Sequence, residues 1–191
     1  MIIAPLVARL EKYGSALPLI PSLYALPYRR VLDREIALAS ITREDKVINI
    51  GCGAIPYSAI YIARTTGAAV HAVDIDKEAL DCARRCIAAN GLSHLITLEH
   101  APGELSQCSD FSVALVALQA RPKQSILEHL LCEGIRGSRI IMRRPQPHLH
   151  HEYDVLPRSY PWQMEVMQHM KTFISSVLYD QRCLAAGGYP A

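Results

Sequence analysis

The residues that first suggest chemistry are Gly51-Cys52-Gly53 and, 21 positions beyond Gly53, Asp74. Val47 to Ile50 is a short apolar run that stops at Gly51, the pattern of a buried strand. A glycine there permits a tight turn, and a second lets the backbone approach a ligand closely. An acid ending the next strand, with Ile75 beside it, is placed to bind ribose hydroxyls. Asp76 is the nearby alternative for that role. The pattern asks for a nucleotide and narrows which one. A dinucleotide fingerprint wants a third glycine, but Gly53 is followed by Ala54, Ile55, Pro56 and Tyr57. No phosphate-binding lysine follows either, which excludes a P-loop. A glycine turn without phosphate machinery fits S-adenosylmethionine, and Gly51, Cys52, Gly53, Pro56, Asp74 and Ile75 are its expected contacts. A nicotinamide-dependent reductase is disfavoured by the missing glycine.

Further polar groups follow the later strands. Glu99 to Glu104 comes after the third, where Ala101, Gly103 and Glu104 are placed to line the adenine edge; a plain surface acid is the alternative for Glu104. Leu118 and Gln119 follow the fourth, at the carboxyl ends where open α/β sheets bind ligands. The chain carries nine Tyr against two Phe and one Trp. Aromatic faces attract a sulfonium, which makes Tyr24, Tyr28, Tyr57 and Tyr61 candidates for contact; core packing is the competing explanation. Tyr57 and Tyr61 are one helical turn apart and share a face. Arg143, which with Arg144 ends the fifth strand, could clamp a carboxylate or simply be solvated. Tyr153 is a candidate substrate contact on the loop that follows. His148, His150 and His151 lie there too, without the spacing of a metal site, and no metal is expected.

These residues need a scaffold. Lys46 onward alternates strand and helix: Val47–Ile50, Ser58–Thr66 closed by Gly67, Ala69–Val73, Lys77–Asn90 capped by Gly91, Leu95–Leu98, Val113–Leu118, Pro122–Cys132 and Arg139–Met142. Thr172–Tyr179 reads as an antiparallel closing strand and Pro145–Pro161 as a loop. This alternation predicts an α/β fold, a mostly parallel sheet with helices on both faces. Residues 1–40 differ. Pro5, Pro18, Pro21 and Pro27 break them into short helical pieces, with Pro27 opening a helix through Ala39. The expected division is a helical lid over 1–40 and a Rossmann-like domain over 41–191. A chain of 191 residues, 50% hydrophobic, holds one core.

A net charge of +2 with scattered arginine pairs offers no footprint for nucleic acid. No apolar run approaches the ~20 residues that span a bilayer, so no membrane is expected. The first ten residues lack the features of a secretion signal, and the six cysteines form no CxxC pair. A cytoplasmic protein with reduced thiols is the expectation.

Three stretches carry a family resemblance: Tyr28-Arg29-Arg30-Val31-Leu32-Asp33-Arg34-Glu35; Ile50-Gly51-Cys52-Gly53-Ala54-Ile55-Pro56-Tyr57; and Val116-Ala117-Leu118-Gln119-Ala120-Arg121-Pro122-Lys123 with Ile140-Ile141-Met142-Arg143-Arg144. Together they resemble the nicotianamine-synthase-like, azetidine-2-carboxylate-synthase-like branch of the class I S-adenosylmethionine-dependent methyltransferase fold. Asn49 stands where common methyltransferases carry an acid, which tilts the reading away from plain methyl transfer. The resemblance implies transfer of the 3-amino-3-carboxypropyl group to a small amine or amino acid, or its cyclisation with no acceptor, and release of methylthioadenosine. It implies Glu35 as the active-site glutamate, a polar helix face being the alternative. Tyr57 and Tyr61 are then the catalytic partners, while Tyr24, Tyr28, Arg143 and Tyr153 would touch substrate. Nicotianamine synthases carry a larger helical domain before the sheet, so a small acceptor is expected; a homodimer completing the cavity is the alternative. A small-molecule methyltransferase and a non-catalytic S-adenosylmethionine-binding protein are the competing functions.

Overall fold

The computed structural model describes residues 20–107 and 109–182, excepting the side chains of 20–27. Four helices and seven strands build it: α1 (Ile20–Leu38), β1 (Lys46–Ile50), α2 (Tyr57–Thr66), β2 (Ala69–Asp74), α3 (Lys77–Ala89), β3 (Ile96–His100), β4 (Val113–Val116), α4 (Lys123–Glu133), β5 (Arg139–Pro145), β6 (Met164–Met167) and β7 (Phe173–Asp180). The sheet order is β3-β2-β1-β4-β5-β7-β6, with β1 to β5 parallel and β7 antiparallel to both β5 and β6. Strand order reverses between β1 and β4, which opens a crevice at their carboxyl ends.

Alternate side chains of each strand enter opposite cores. Val47, Val70, Ala72, Leu115, Ile141 and Leu178 face one layer, where α2 supplies Ile60 and Ile62, α3 supplies Leu80 and Ile87, and α1 supplies Leu32. Ile48, Ile50, Ala114, Val116, Ile140 and Met142 face the other, filled by Ile126, Leu127 and Leu130 of α4. Both faces being covered, the central strands are mostly apolar, as parallel sheets require, with Asn49 of β1 and Arg143 of β5 the buried polar residues that need partners. Local signals set the helix ends. Asp76 caps α3 by accepting from the Glu78 and Ala79 amides. Gly67 closes α2 in the left-handed conformation at φ 76°.

Two expectations change. Helix α1 begins at Ile20 rather than Pro27 and continues through that proline, although proline removes one amide donor from the helix. Strand β6 was not expected. Its Met164, Glu165 and Met167 are exposed, so no apolar alternation marks it, and it forms by pairing with β7. Residues 1–19 and 183–191, and with them the first part of the expected lid, lie outside the described residues. No helix among the described residues is long and apolar enough to cross a membrane.

Candidate functional site

The turn after β1 is held by the end of β2. The Gly51 and Cys52 amides both donate to the Val73 carbonyl, at 2.8 and 3.1 Å. The Gly53 amide donates to Asp74 Oδ2 at 2.7 Å, while Oδ1 of the same carboxylate accepts from the Asp76 amide at 3.0 Å. Asp74 thus fixes both the glycine turn and the start of α3, with lone pairs still open for hydroxyl donors. Asp76 is occupied as the cap of α3, which leaves Asp74 as the better ribose candidate. Gly51 has φ 77°, and a Cβ there would come within 3.1 Å of the Ala117 Cβ across the crevice. A side chain is therefore refused on both conformational and steric grounds. Cys52 is buried, and burial, reinforced by the Asp74 charge, pushes its thiol up to about 12. Such a thiol does not act as a nucleophile near neutrality. Pro56 is buried at the start of α2, its carbonyl accepting the first helical bond from Ile60.

The outer rim follows β2 and β3. Ile75 and Leu105 are both 69% exposed, which sets two apolar side chains beside the ribose candidate and the turn after β3. The Ala101 amide donates to the Asp74 carbonyl at 3.1 Å. Gly103 has a packing reason to be glycine: an added Cβ would fall 2.5 Å from Ile50 Cγ2. Glu104 Oε2 is buried without a hydrogen-bond partner among the described residues. Such an orphan suits a donor that a ligand brings. Across the crevice Leu118 is buried while Gln119 is exposed.

Helix α1 closes the other side through charge. Glu35, 1% exposed, receives Arg143 Nε on Oε1 and Arg143 Nη2 on Oε2, each at 2.9 Å, and the Ser176 hydroxyl on Oε1 at 2.6 Å. This bidentate pair ties α1 to β5 and β7. Burial alone would lower the Arg143 pKa, but Glu35 and Tyr28 outweigh it and the guanidinium is held more firmly protonated than usual. Arg143 Nη1 donates to the Tyr28 hydroxyl at 3.1 Å, and its guanidinium lies 5.2 Å from the Tyr28 ring and 5.5 Å from the Phe173 ring. Tyr28 packs edge-on against Tyr57 at 6.3 Å, and Tyr57 against Tyr61 at 5.9 Å. Burial, then Tyr61, raises the Tyr57 phenol. The Tyr61 hydroxyl donates to Asp33 Oδ1 at 2.5 Å, which ties α2 to α1. Tyr153 is buried with Val31, Leu118, Leu149 and Phe173, and burial raises its phenol.

The candidates therefore gather into two groups. Gly51, Cys52, Gly53, Pro56, Asp74, Ile75, Ala101, Gly103 and Glu104 form a turn-and-rim around the ends of β1, β2 and β3. Glu35, Tyr28, Tyr57, Tyr61, Arg143 and Tyr153 join α1 to α2, β5 and the loop after β5. Leu118 packs against Val31 of α1 and so links the groups. The side chain of Tyr24 lies outside the described residues. Arg143, expected as a carboxylate clamp, has three N–H donors engaged by Glu35 and Tyr28.

Two residues noted in the sequence take on a structural role that it did not assign them. Asn49 is 2% exposed, donates to the Leu115 carbonyl at 3.2 Å, and keeps Oδ1 without a partner among the described residues. Lys123 is 1% exposed at the first position of α4. Its signal was the spacing: 123, 126, 127 and 130 fall on one buried helix face.

Comparison with known proteins agrees with this architecture. The Methyltransferase small domain family matches residues 31–116. An L-histidine 2-aminobutanoyltransferase of Pseudomonas aeruginosa is 34% identical over 110 residues, 57% of this chain and 42% of that protein. The chain spans less than half the length of the curated relatives it matches. A point mutant of MtNAS, a nicotianamine synthase, in complex with S-adenosylmethionine superposes with TM-score 0.77 at 20% identity, covering 90% of this chain and 70% of that one. MtNAS in complex with MTA and tNA gives TM-score 0.78 at 22% identity, with 91% and 70% covered. This chain thus has the class I S-adenosylmethionine-dependent methyltransferase fold, and within it is similar to the nicotianamine-synthase-like branch.

Proposed function

We propose that this chain takes S-adenosylmethionine as donor and transfers its 3-amino-3-carboxypropyl group to a small amine or amino acid. Cyclisation to azetidine-2-carboxylate is the variant that needs no acceptor. The observation that carries the choice of group is the 34% identity to a 2-aminobutanoyltransferase across 110 residues. The residues fit the donor. A glycine turn that refuses a Cβ and a ribose-ready Asp74 meet at one crevice, and Glu104 Oε2, on the loop after β3, has no protein partner among the described residues.

The step balances simply. The amine nitrogen lone pair attacks the carbon γ to the donor's carboxyl group. The sulfur–carbon bond breaks with its electrons staying on sulfur, which releases neutral methylthioadenosine. The attacking nitrogen then gives up a proton to solvent water, leaving the alkylated amine and neutral methylthioadenosine. Because the leaving group is neutral, alignment is the main task, and positioning can supply much of the rate. Glu35 supports that task rather than taking the proton directly: three hydrogen bonds already occupy its carboxylate. Through Arg143 it orients the Tyr28 ring, whose neighbour Tyr57 lies at the start of α2 just after the glycine turn. These aromatic faces suit a sulfonium. A cytoplasmic setting fits the free thiols of Cys52, Cys82, Cys86 and Cys132.

The test is incubation with S-adenosylmethionine alone and with amines, L-histidine included, followed by mass spectrometry. Methylthioadenosine formed with an aminocarboxypropyl adduct, or with azetidine-2-carboxylate, is the expected product pair. S-adenosylhomocysteine with a methylated acceptor would overturn the choice of group and leave the donor intact.

A further inference from the structure

Lys123 is buried, and among the described residues its ammonium forms no ion pair with a carboxylate. Its Nζ donates to three main-chain carbonyls, those of Leu118 at 2.7 Å, Ala120 at 3.0 Å and Ala117 at 3.4 Å. An ammonium has three donors, and all three are used on one short loop. That loop follows β4 and forms the wall of the crevice opposite the glycine turn. The Ala117 amide donates to the Ile50 carbonyl at 3.0 Å, and the methyl groups of Ala117 and Ala120 lie within 3.5 Å of where a Gly51 Cβ would sit. Three carbonyls converging on one point repel each other unless a cation lies between them. We infer that Lys123 is a positioning residue whose ammonium folds the 117–120 loop against Gly51, and so shapes the wall that receives the methionine end of the donor. This rests on the donor reading above.

The charged groups facing Lys123 come from three places. Asp154 of the loop after β5 accepts the Lys123 amide at 3.2 Å and favours the charged ammonium, while Arg143 of β5 and Arg121 oppose it. Burial is the largest influence, and the net result is a pKa brought down to about 8. Deprotonation leaves the amine with two donors for three carbonyls. Donor affinity should therefore weaken as pH rises through that value, although the titration of Lys123 by itself does not weaken the global fold.

The experiment measures S-adenosylmethionine binding by calorimetry on the full chain, from pH 7.0 to 9.5. Wild type, Lys123→Met and Asp154→Asn are compared at each pH. The donor's own α-amine titrates in this range, so the K123M profile isolates that contribution. At pH 7.0 K123M should bind at least about tenfold more weakly, as expected for lost charge-assisted hydrogen bonds. The wild-type advantage over K123M should shrink as pH rises. Asp154→Asn keeps the lysine and an acceptor for its amide but removes the charge that favours the ammonium, so its weakening should begin at lower pH. Should K123M fail to fold, the wild-type and D154N profiles decide alone, and superimposable curves overturn the inference. Equal affinity of wild type and K123M at pH 7.0 also overturns it while sparing the donor reading. No binding by wild type at pH 7.0 rejects both.

Discussion

At the scale of residues, the Glu35–Arg143 pair is the strongest single commitment in the molecule. Both side chains are at most 4% exposed, so neither charge has water to fall back on. Glu35→Gln keeps the shape but leaves a buried guanidinium without its counter-charge, at a cost of about 3–5 kcal/mol. Thermal denaturation should show a drop of roughly ten degrees for a chain of this length. The double change Glu35→Met with Arg143→Met should recover much of it, since an apolar pair replaces a desolvated ionic one. A Glu35→Gln melting point within a degree or two of wild type would show that the pair contributes little. The resemblance singled out Glu35, but nothing local could name its partner, which lies 108 positions away. The same limit explains Tyr61, whose aromatic face was legible but whose hydroxyl partner Asp33 was not. Lys123 was quoted as part of a motif and passed over, because a lysine at a helix start reads as solvated until the buried face beneath it is counted.

At the scale of elements, the junctions matter more than the spans. Asp74 and Asp76 are two positions apart and do different work. Asp76 satisfies two orphan amides of α3, and Asp74 ties the glycine turn to β2. Asp76→Ala should cost about 1 kcal/mol of stability, read from urea denaturation. Its donor affinity should stay near wild type. Asp74→Asn retains one oxygen acceptor for the Gly53 amide but turns a donor towards the Asp76 amide and loses the charged acceptor offered to ribose, so donor affinity should fall about tenfold and stability by about 1 kcal/mol. If both variants lose affinity equally, the division of labour is wrong. The parallel core was readable because each central strand is mostly apolar on both faces and each helix after it has a glycine or aspartate at its end. The β6 edge was not, since one strand of exposed methionines carries no pattern until β7 is in place to pair with it. The start of α1 was misplaced for the opposite reason: Pro27 reads as a helix opener, yet the helix passes through it.

At the scale of the whole molecule, the ionisable groups set the pH range in which the fold holds. On the acid side, burial alone would raise the Asp45 pKa, but the Thr42 amide, the Ser112 hydroxyl and Arg139 outweigh it and bring it below the usual aspartate range. Asp180 is lowered chiefly by its bond from Arg182. Carboxylates with depressed pKa values stabilise the fold above their unfolded pKa, and that stability is lost as pH falls through the folded value. The urea midpoint should therefore drop below about pH 4. On the alkaline side, burial holds the thiols of Cys52 and Cys86 and the phenol of Tyr179 protonated well past their ordinary range. Unfolding frees them to ionise, so the unfolded chain binds fewer protons above about pH 8.5 and stability declines. Lys123 acts in the other direction. Its pKa is lower in the fold, so between about 8 and the ordinary lysine value near 10.4 the unfolded chain holds more protons and stability gains. Three raised acids against one lowered base should give a net fall above about pH 10. Lys123→Met removes the opposing contribution, so its alkaline decline should begin at lower pH than that of wild type. Urea titrations of both proteins between pH 3 and pH 11 would check this, and a wild-type midpoint still climbing at pH 11 would contradict it. The comparison also separates the two roles of one lysine: deprotonation should loosen the crevice wall while the fold as a whole grows no weaker.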